Sequence, residues 1–202
     1  WVDIVENGTG TSLGFQDAGD GCSSTGGWGG CNGNADDVAN VNLPFEFKFY
    51  GENYNMITVS SNGYISFTAN DMSSFRNYSI PGAGGPSPMV AGFWDDLTTD
   101  GPGQVYKYVT EDYVIIQWSE METYQHSDDQ NFQIIIYNPE TMGHATPSGD
   151  GEIIIQYKEF QNTTNGDYSQ YTPLHGCYAT VGIENHLGNV GLQYTFDDEY
   201  AE

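Results

Sequence analysis

The sequence predicts an all-β fold, an antiparallel two-sheet β-sandwich of jelly-roll-like type with about eleven strands. Three observations carry the prediction. Aromatics and glycine are abundant together, with 15 Tyr, 10 Phe and 4 Trp beside 26 Gly, a pairing that suits twisted sheets joined by tight turns. Apolar residues recur with period two in short runs. Clusters of Gly, Asn, Asp, Ser and Pro separate those runs. A chain of 202 residues buries roughly 70% of its unfolded surface, enough for one large core. No internal repeat or linker divides it, so residues 1–202 read as a single domain with a Gly/Ser-rich loop at 16–40.

Taken in order, Trp1 to Val5 alternates as a short strand does, and Glu6-Asn7-Gly8-Thr9-Gly10 turns the chain. Residues 16–40 are nearly pure turn chemistry, and a loop of that length inside a domain is more often functional or stapled than idle. From Leu43 to Tyr50 the alternation is clean, with Leu43, Phe45, Phe47 and Phe49 on one face. Tyr54 to Ser60 and Tyr64 to Thr68 flank Ser61-Asn62-Gly63, and Asn-Gly between β-rich runs is the strongest short hairpin signal. Residues 69–88, with Pro81, Pro86 and Pro88, form a surface crossover.

Met89 to Leu97 is an apolar strand that breaks into Asp95 and Asp96, which places the acids at a rim. A meander follows: Gln104 to Val109, Tyr113 to Met121 and Phe132 to Asn138. Ile134-Ile135-Ile136 and Ile153-Ile154-Ile155 are apolar on both faces, as in strands covered on both sides. Gly151 to Phe160 is the next strand. After a polar loop at 161–175, Tyr178 to Glu184 and Val190 to Phe196 make the final pair.

Four basic residues face 28 acidic ones, for a formal charge of −24. Such a surface cannot neutralise phosphates, which excludes nucleic acid as a partner class and disfavours anionic membranes. Screening by salt or bound cations must offset the self-repulsion. No apolar run approaches the ~18 residues of a transmembrane helix, so no membrane insertion is expected. The chain begins at Trp1, and so reads as a processed product or an excised domain. Cys22 and Cys31 flank a Gly/Ser-rich segment, where a disulfide would contribute ~2–3 kcal/mol and fit an oxidising compartment. Cys177 is then a buried thiol, or pairs with one of the first two or across chains; the connectivity stays open.

Leu43-Pro44-Phe45-Glu46-Phe47-Lys48-Phe49-Tyr50-Gly51, Val59-Ser60-Ser61-Asn62-Gly63-Tyr64-Ile65-Ser66-Phe67, Gly92-Phe93-Trp94-Asp95-Asp96-Leu97, Val181-Gly182-Ile183-Glu184-Asn185 and Gly191-Leu192-Gln193-Tyr194 recur in one known setting. With them the chain, from Trp1 to about Phe196, resembles a β-sandwich module of secreted bacterial proteins. The resemblance implies a non-catalytic companion to peptidase, adhesion and cell-surface sorting domains in large exported polypeptides, located outside the cell or on its surface.

Asp95, Asp96 and Asp100 on one loop, and Asp36 and Asp37 on another, supply the hard oxygens that calcium takes. The alternative makes Asp95 an acceptor for turn amides and leaves Asp96 to solvent. His126, His144, His175 and His186 show no zinc-motif spacing, and no nucleophile elbow or phosphate loop occurs. Most acids fall in turns, where a raised catalytic pKa is hard to build, so no enzyme is expected. Trp28, Tyr124, Tyr168 and Tyr171 on loops are candidates to stack on sugar rings, the alternative being that they fold back over the sheet. Asn7, Asn77 and Asn162 head glycosylation sequons.

Three roles follow. The first is a structural or adhesive module, calcium-stabilised, partnered by other domains of a larger polypeptide. The second is a fibre subunit that pairs with copies of itself through Trp1 to Val5. The third is a carbohydrate-binding module with a glycan partner.

Overall fold

A computed structural model describes residues 1–17, 36–99, 101–124, 126, 128–141, 143, 145–164, 168–169, 172–173 and 178–198. Its strands, in chain order, are β1 (Thr11–Ser12), β2 (Val38–Phe49), β3 (Glu52–Ser60), β4 (Tyr64–Ser66), β5 (Met89–Trp94), β6 (Leu97–Thr98) and β7 (Gln104–Val109). There follow β8 (Tyr113–Thr123), β9 (Asp129–Tyr137), β10 (Ile153–Glu159), β11 (Tyr168–Ser169), β12 (Thr172–Pro173), β13 (Thr180–Glu184) and β14 (Gly191–Thr195). Two antiparallel six-stranded sheets result. The first runs β1-β7-β8-β9-β10 with β6 on β8, and the second runs β14-β13-β5-β4-β3-β2; β11 and β12 pair apart from both.

The inward faces of both sheets meet in one core. Phe47, Ile57, Val59 and Phe93 of the second sheet pack with Val114, Ile116, Trp118 and Phe132 of the first, all buried. Trp118 stacks on Phe132 at 4.8 Å, Phe93 meets Phe132 at 5.9 Å, and the Trp118 indole N–H donates to the Ser60 carbonyl at 3.0 Å. The last contact satisfies the one polar atom of a fully buried indole and locks the sheets together.

The expected hairpin forms at Ser61-Asn62-Gly63 between β3 and β4. Gly63 has φ +79° and lies so close to β5 that a Cβ there would meet the Phe93 carbonyl oxygen at 1.8 Å. Its own carbonyl accepts both Gly92 N–H (3.0 Å) and Phe93 N–H (3.1 Å). Only glycine fits both the left-handed turn and that approach.

Trp1 to Val5 corrects one expectation, for it is not a strand. Asp3 accepts the Val5 and Glu6 N–H groups, each at 3.1 Å, and closes a turn there. Ile4 is buried against Ile115 and Ile135 on the outer face of the first sheet. A row of glutamines receives this strap. Gln156 donates to Gln133 at 2.7 Å, Gln133 to Gln117 at 2.6 Å and Gln117 to Asp3 at 3.2 Å. The first isoleucine triplet is thus covered on both faces as expected, for Ile134 and Ile136 face the main core and Ile135 faces the strap; the second, Ile153 to Ile155, is only half-buried. The donor strand that the fibre reading used is absent.

Three smaller expectations change. The loop drawn to residue 40 ends earlier, because β2 begins at Val38. The polar stretch 161–175 contains β11 and β12. Two sequons are inside: Asn77 and Asn162 are buried, the first donating to the Tyr178 carbonyl and Thr180 hydroxyl, the second bound to Ala179 N–H and the Asp198 carbonyl.

Candidate functional site: a buried acidic hub

The two acidic loops read separately in the sequence come together at one end of the sandwich, and Asn62 joins them. Its Oδ1 accepts Leu97 N–H at 2.9 Å, just past the Asp95-Asp96 pair. Its Nδ2 donates to Asp36 Oδ1 at 2.6 Å and to the Ser73 carbonyl at 3.0 Å. The residue is fully buried, so these bonds hold three chain segments without competition from water.

Asp95 and Asp96 are buried, which corrects the expectation of a rim and the alternative that left Asp96 to solvent. The cause is chain geometry. Asp95 Oδ1 accepts the Asp96 N–H at 2.9 Å, and β6 begins at the next residue, so the pair never leaves the fold. The Asp96 carbonyl accepts Tyr124 N–H at 2.8 Å. Tyr124, one of the loop aromatics, therefore sits half-buried in the turn after β8, beside the hub.

Asp17 is the member the sequence reading missed. It is buried, with its N–H on Thr99 Oγ1 at 2.8 Å and its carbonyl accepting Thr99 N–H at 2.8 Å. Standing in a Gly/Asp/Ser stretch it has no local signature; only the Thr99 pairing, 82 positions away, distinguishes it. Asp37 donates its N–H to Ser61 Oγ at 3.0 Å, and its Oδ2 accepts Gln16 N–H at 3.1 Å.

Burial pushes the Asp36 carboxyl up to about 7; the Asn62 hydrogen bond opposes the rise, and repulsion from Asp17 and Asp96 adds to it. The hub thus concentrates negative charge in a poorly solvated place. Asp36 relieves part of it by holding a proton near neutral pH. Among the described residues, no three or more His, Cys, Asp or Glu side chains are grouped so as to hold a metal ion.

Asp100, Trp28, Tyr171, Cys22, Cys31, Cys177, His144 and His175 lie outside the described residues, as does the side chain of Tyr168. Of the glycan candidates, only Tyr124 has a described side chain; Tyr168 is placed by its backbone in β11. Among the described residues no helix is long and apolar enough to cross a membrane. A family model described as NIDO related matches residues 22–201. No curated protein and no solved structure matches the chain.

Proposed function

The chain belongs to the NIDO-related family, and from that premise we propose that it is a non-catalytic adhesion-type module acting outside the cell, within a larger secreted or cell-surface polypeptide. The observation that carries the reading is the family match across nearly the whole chain, on a two-sheet sandwich. The charge of −24 agrees with an extracellular, highly solvated surface. The peptidase, adhesion and sorting domains implied by the sequence resemblance are the neighbours proposed for it.

Calcium at the hub is the finer part of the proposal. What supports it is the burial of Asp17, Asp95 and Asp96 with Asp36 beside them, a like-charge cluster whose repulsion a divalent cation relieves. Among the described residues no three carboxylates are grouped so as to hold a metal ion, so the proposed ligand set needs backbone carbonyls and Asp100, which lies outside the described residues.

The test is retention under flow. Beads carrying the chain are passed over arrays of extracellular proteins and glycans, in calcium and in chelator, beside beads carrying an acidic β-sandwich of unrelated sequence. Retention above that control, lost in chelator, is the expected result. Retention equal to the control on every surface would reject the adhesive role, and retention unchanged by chelator would reject the calcium part alone.

A further inference from the structure

The two sheets do not end together. Among the described residues β10 pairs with β9 alone and β14 with β13 alone, so each sheet has a free edge on the same side of the sandwich. Ile155 and Tyr157 of β10, Val181 and Ile183 of β13, and Leu192 and Tyr194 of β14 line one groove between those edges. It continues past Ile155 and Ile183 into a hollow lined by Phe49, Tyr50, Ile153 and Asp150. Tyr157 marks the floor, its hydroxyl donating to the Gly92 carbonyl at 2.6 Å.

The groove has the form of a missing strand. Ile153 and Ile155 pack toward the main core while Ile154 faces the opposite side, so Ile153, Ile155 and Tyr157 share the inner face of β10. Across the gap, Leu192 and Tyr194 of β14 have no strand above them among the described residues and are 67% and 64% exposed. Leu187 and Val190, in the turn that leads into β14, are also more than half exposed. A strand laid against the free edge of β10 covers Leu192 and Tyr194 and takes up the open backbone groups of β10. Contiguous exposed apolar groups of this kind mark interaction surfaces, whereas single ones do not.

Charge selects the occupant. Asp150 lines the groove, Glu152 precedes β10 and Glu159 ends it, and Asp197 and Asp198 follow β14. Tyr50, at the far end, is held above the ordinary phenol range by burial and by repulsion from Glu184 and Asp150. No lysine or arginine lines either part of the groove. Lys158 on β10 is bound to Asp3 and Glu6 at 3.3 and 3.1 Å, and the Lys48 ammonium lies beside Gly149, outside the lining. A second copy would bring another −24 charges to the same acidic rim.

We propose that the groove between β10 and β14 docks an extended segment of another polypeptide, which alternates apolar and polar residues and carries lysine or arginine at its flanks. This goes beyond the adhesion reading by naming the surface and its ligand chemistry. It is independent of calcium at the hub.

The test uses the full chain and a displayed library of random peptides about nine residues long, enough to span β10 with flanks. Selection is at low salt, with counter-selection on the Leu192→Asp/Tyr194→Asp double variant, whose sites are exposed and whose fold is checked by its melting curve. Enriched peptides are expected to alternate and to carry basic flanks. Synthetic copies should lose at least about tenfold in affinity on the double variant or when Glu replaces the flanking Lys and Arg, and should slow amide exchange in residues 153–159. Absence of enrichment, enriched peptides without this pattern, or binding unchanged by the double variant would overturn the proposal. Self-association of the parent chain that the double variant abolishes would overturn it too, assigning the groove to a second copy.

Discussion

The two ends of the second sheet are built in opposite ways. At one end β2 is long and guarded: Pro44 lacks an N–H to offer, Glu46 and Lys48 are charged, and the register against β3 shifts between Asn42 and Phe47. Such devices discourage an edge from pairing with a foreign strand. Its apolar side chains are turned in, with Phe47 buried and stacked on Phe67 at 5.3 Å. At the other end β14 reads Gly-Leu-Gln-Tyr-Thr, without proline or charge, and leaves Leu192 and Tyr194 in water. One edge is closed by its sequence, and the other is left ready to pair.

The contrast predicts unequal responses to truncation. Phe47→Ala should destabilise the fold by about 3–5 kcal/mol in urea titration, whereas Leu192→Ala should shift it by less than about 0.5 kcal/mol. Comparable losses at the two sites would mean that the β14 side chains carry core packing, and the contrast would break.

The β2 end also abuts the hub, since Asp36 precedes that strand. The folded chain keeps the Asp36 proton up to about pH 7, while the unfolded chain releases it near the ordinary value of 3.8. Folded protein then binds more protons than unfolded protein between these limits, so stability falls as pH rises from about 4 to about 7 and levels off above. Asn at position 36 can still accept the Asn62 hydrogen bond. Asp36→Asn should therefore remove the slope and gain on the order of 4 kcal/mol at pH 8 in chelator, with no gain at pH 4. In calcium the gain should vanish if the cation sits at the hub, because an ion bound to the native state alone raises parental stability. An unaltered pH slope in the variant would refute the assignment to Asp36.

The smallest effect on stability is expected from removing the guards. Pro44→Val with Glu46→Val should change the melting behaviour by no more than about 1 kcal/mol, yet raise the mass seen by light scattering as β2 edges pair. A monomer at every concentration would show that the register shift alone protects the edge.

Much of this architecture was legible. The Asn62-Gly63 turn, the span of β7 and the two-sided cover of Ile134-Ile135-Ile136 follow from local patterns, because each depends on neighbours in sequence, whereas Ile153-Ile154-Ile155 has the same pattern and is only half-buried. The failures share a cause. Trp1 to Val5 alternates as a strand does, but the Asp3 carboxylate captures two nearby amides, and that local bonding overrides the alternation. Asp95 and Asp96 ended a strand and so read as exposed, whereas segments distant in sequence, at Asn62 and Tyr124, close over them. A signal for the glutamine row was present, for Gln117, Gln133 and Gln156 each adjoin an isoleucine run. A polar residue in an alternating strand nonetheless reads as solvent-facing until something is known to cover it.

That glutamine row has a direction. Each amide gives its N–H group to the next, from Gln156 to Gln133 to Gln117, and the last gives to the Asp3 carboxylate. Reversing the three amides would aim a carbonyl at that carboxylate, so one anion on the strap sets the sense of three dipoles lying across three strands, each reinforcing the next. Hydrogen bonds hold Asp3 well below the usual carboxylate range despite its burial, which keeps the anchor charged. Polarity at one end of the row is therefore felt by a side chain two strands away, and one carboxylate in a turn acts as the compass for the outer face of a sheet.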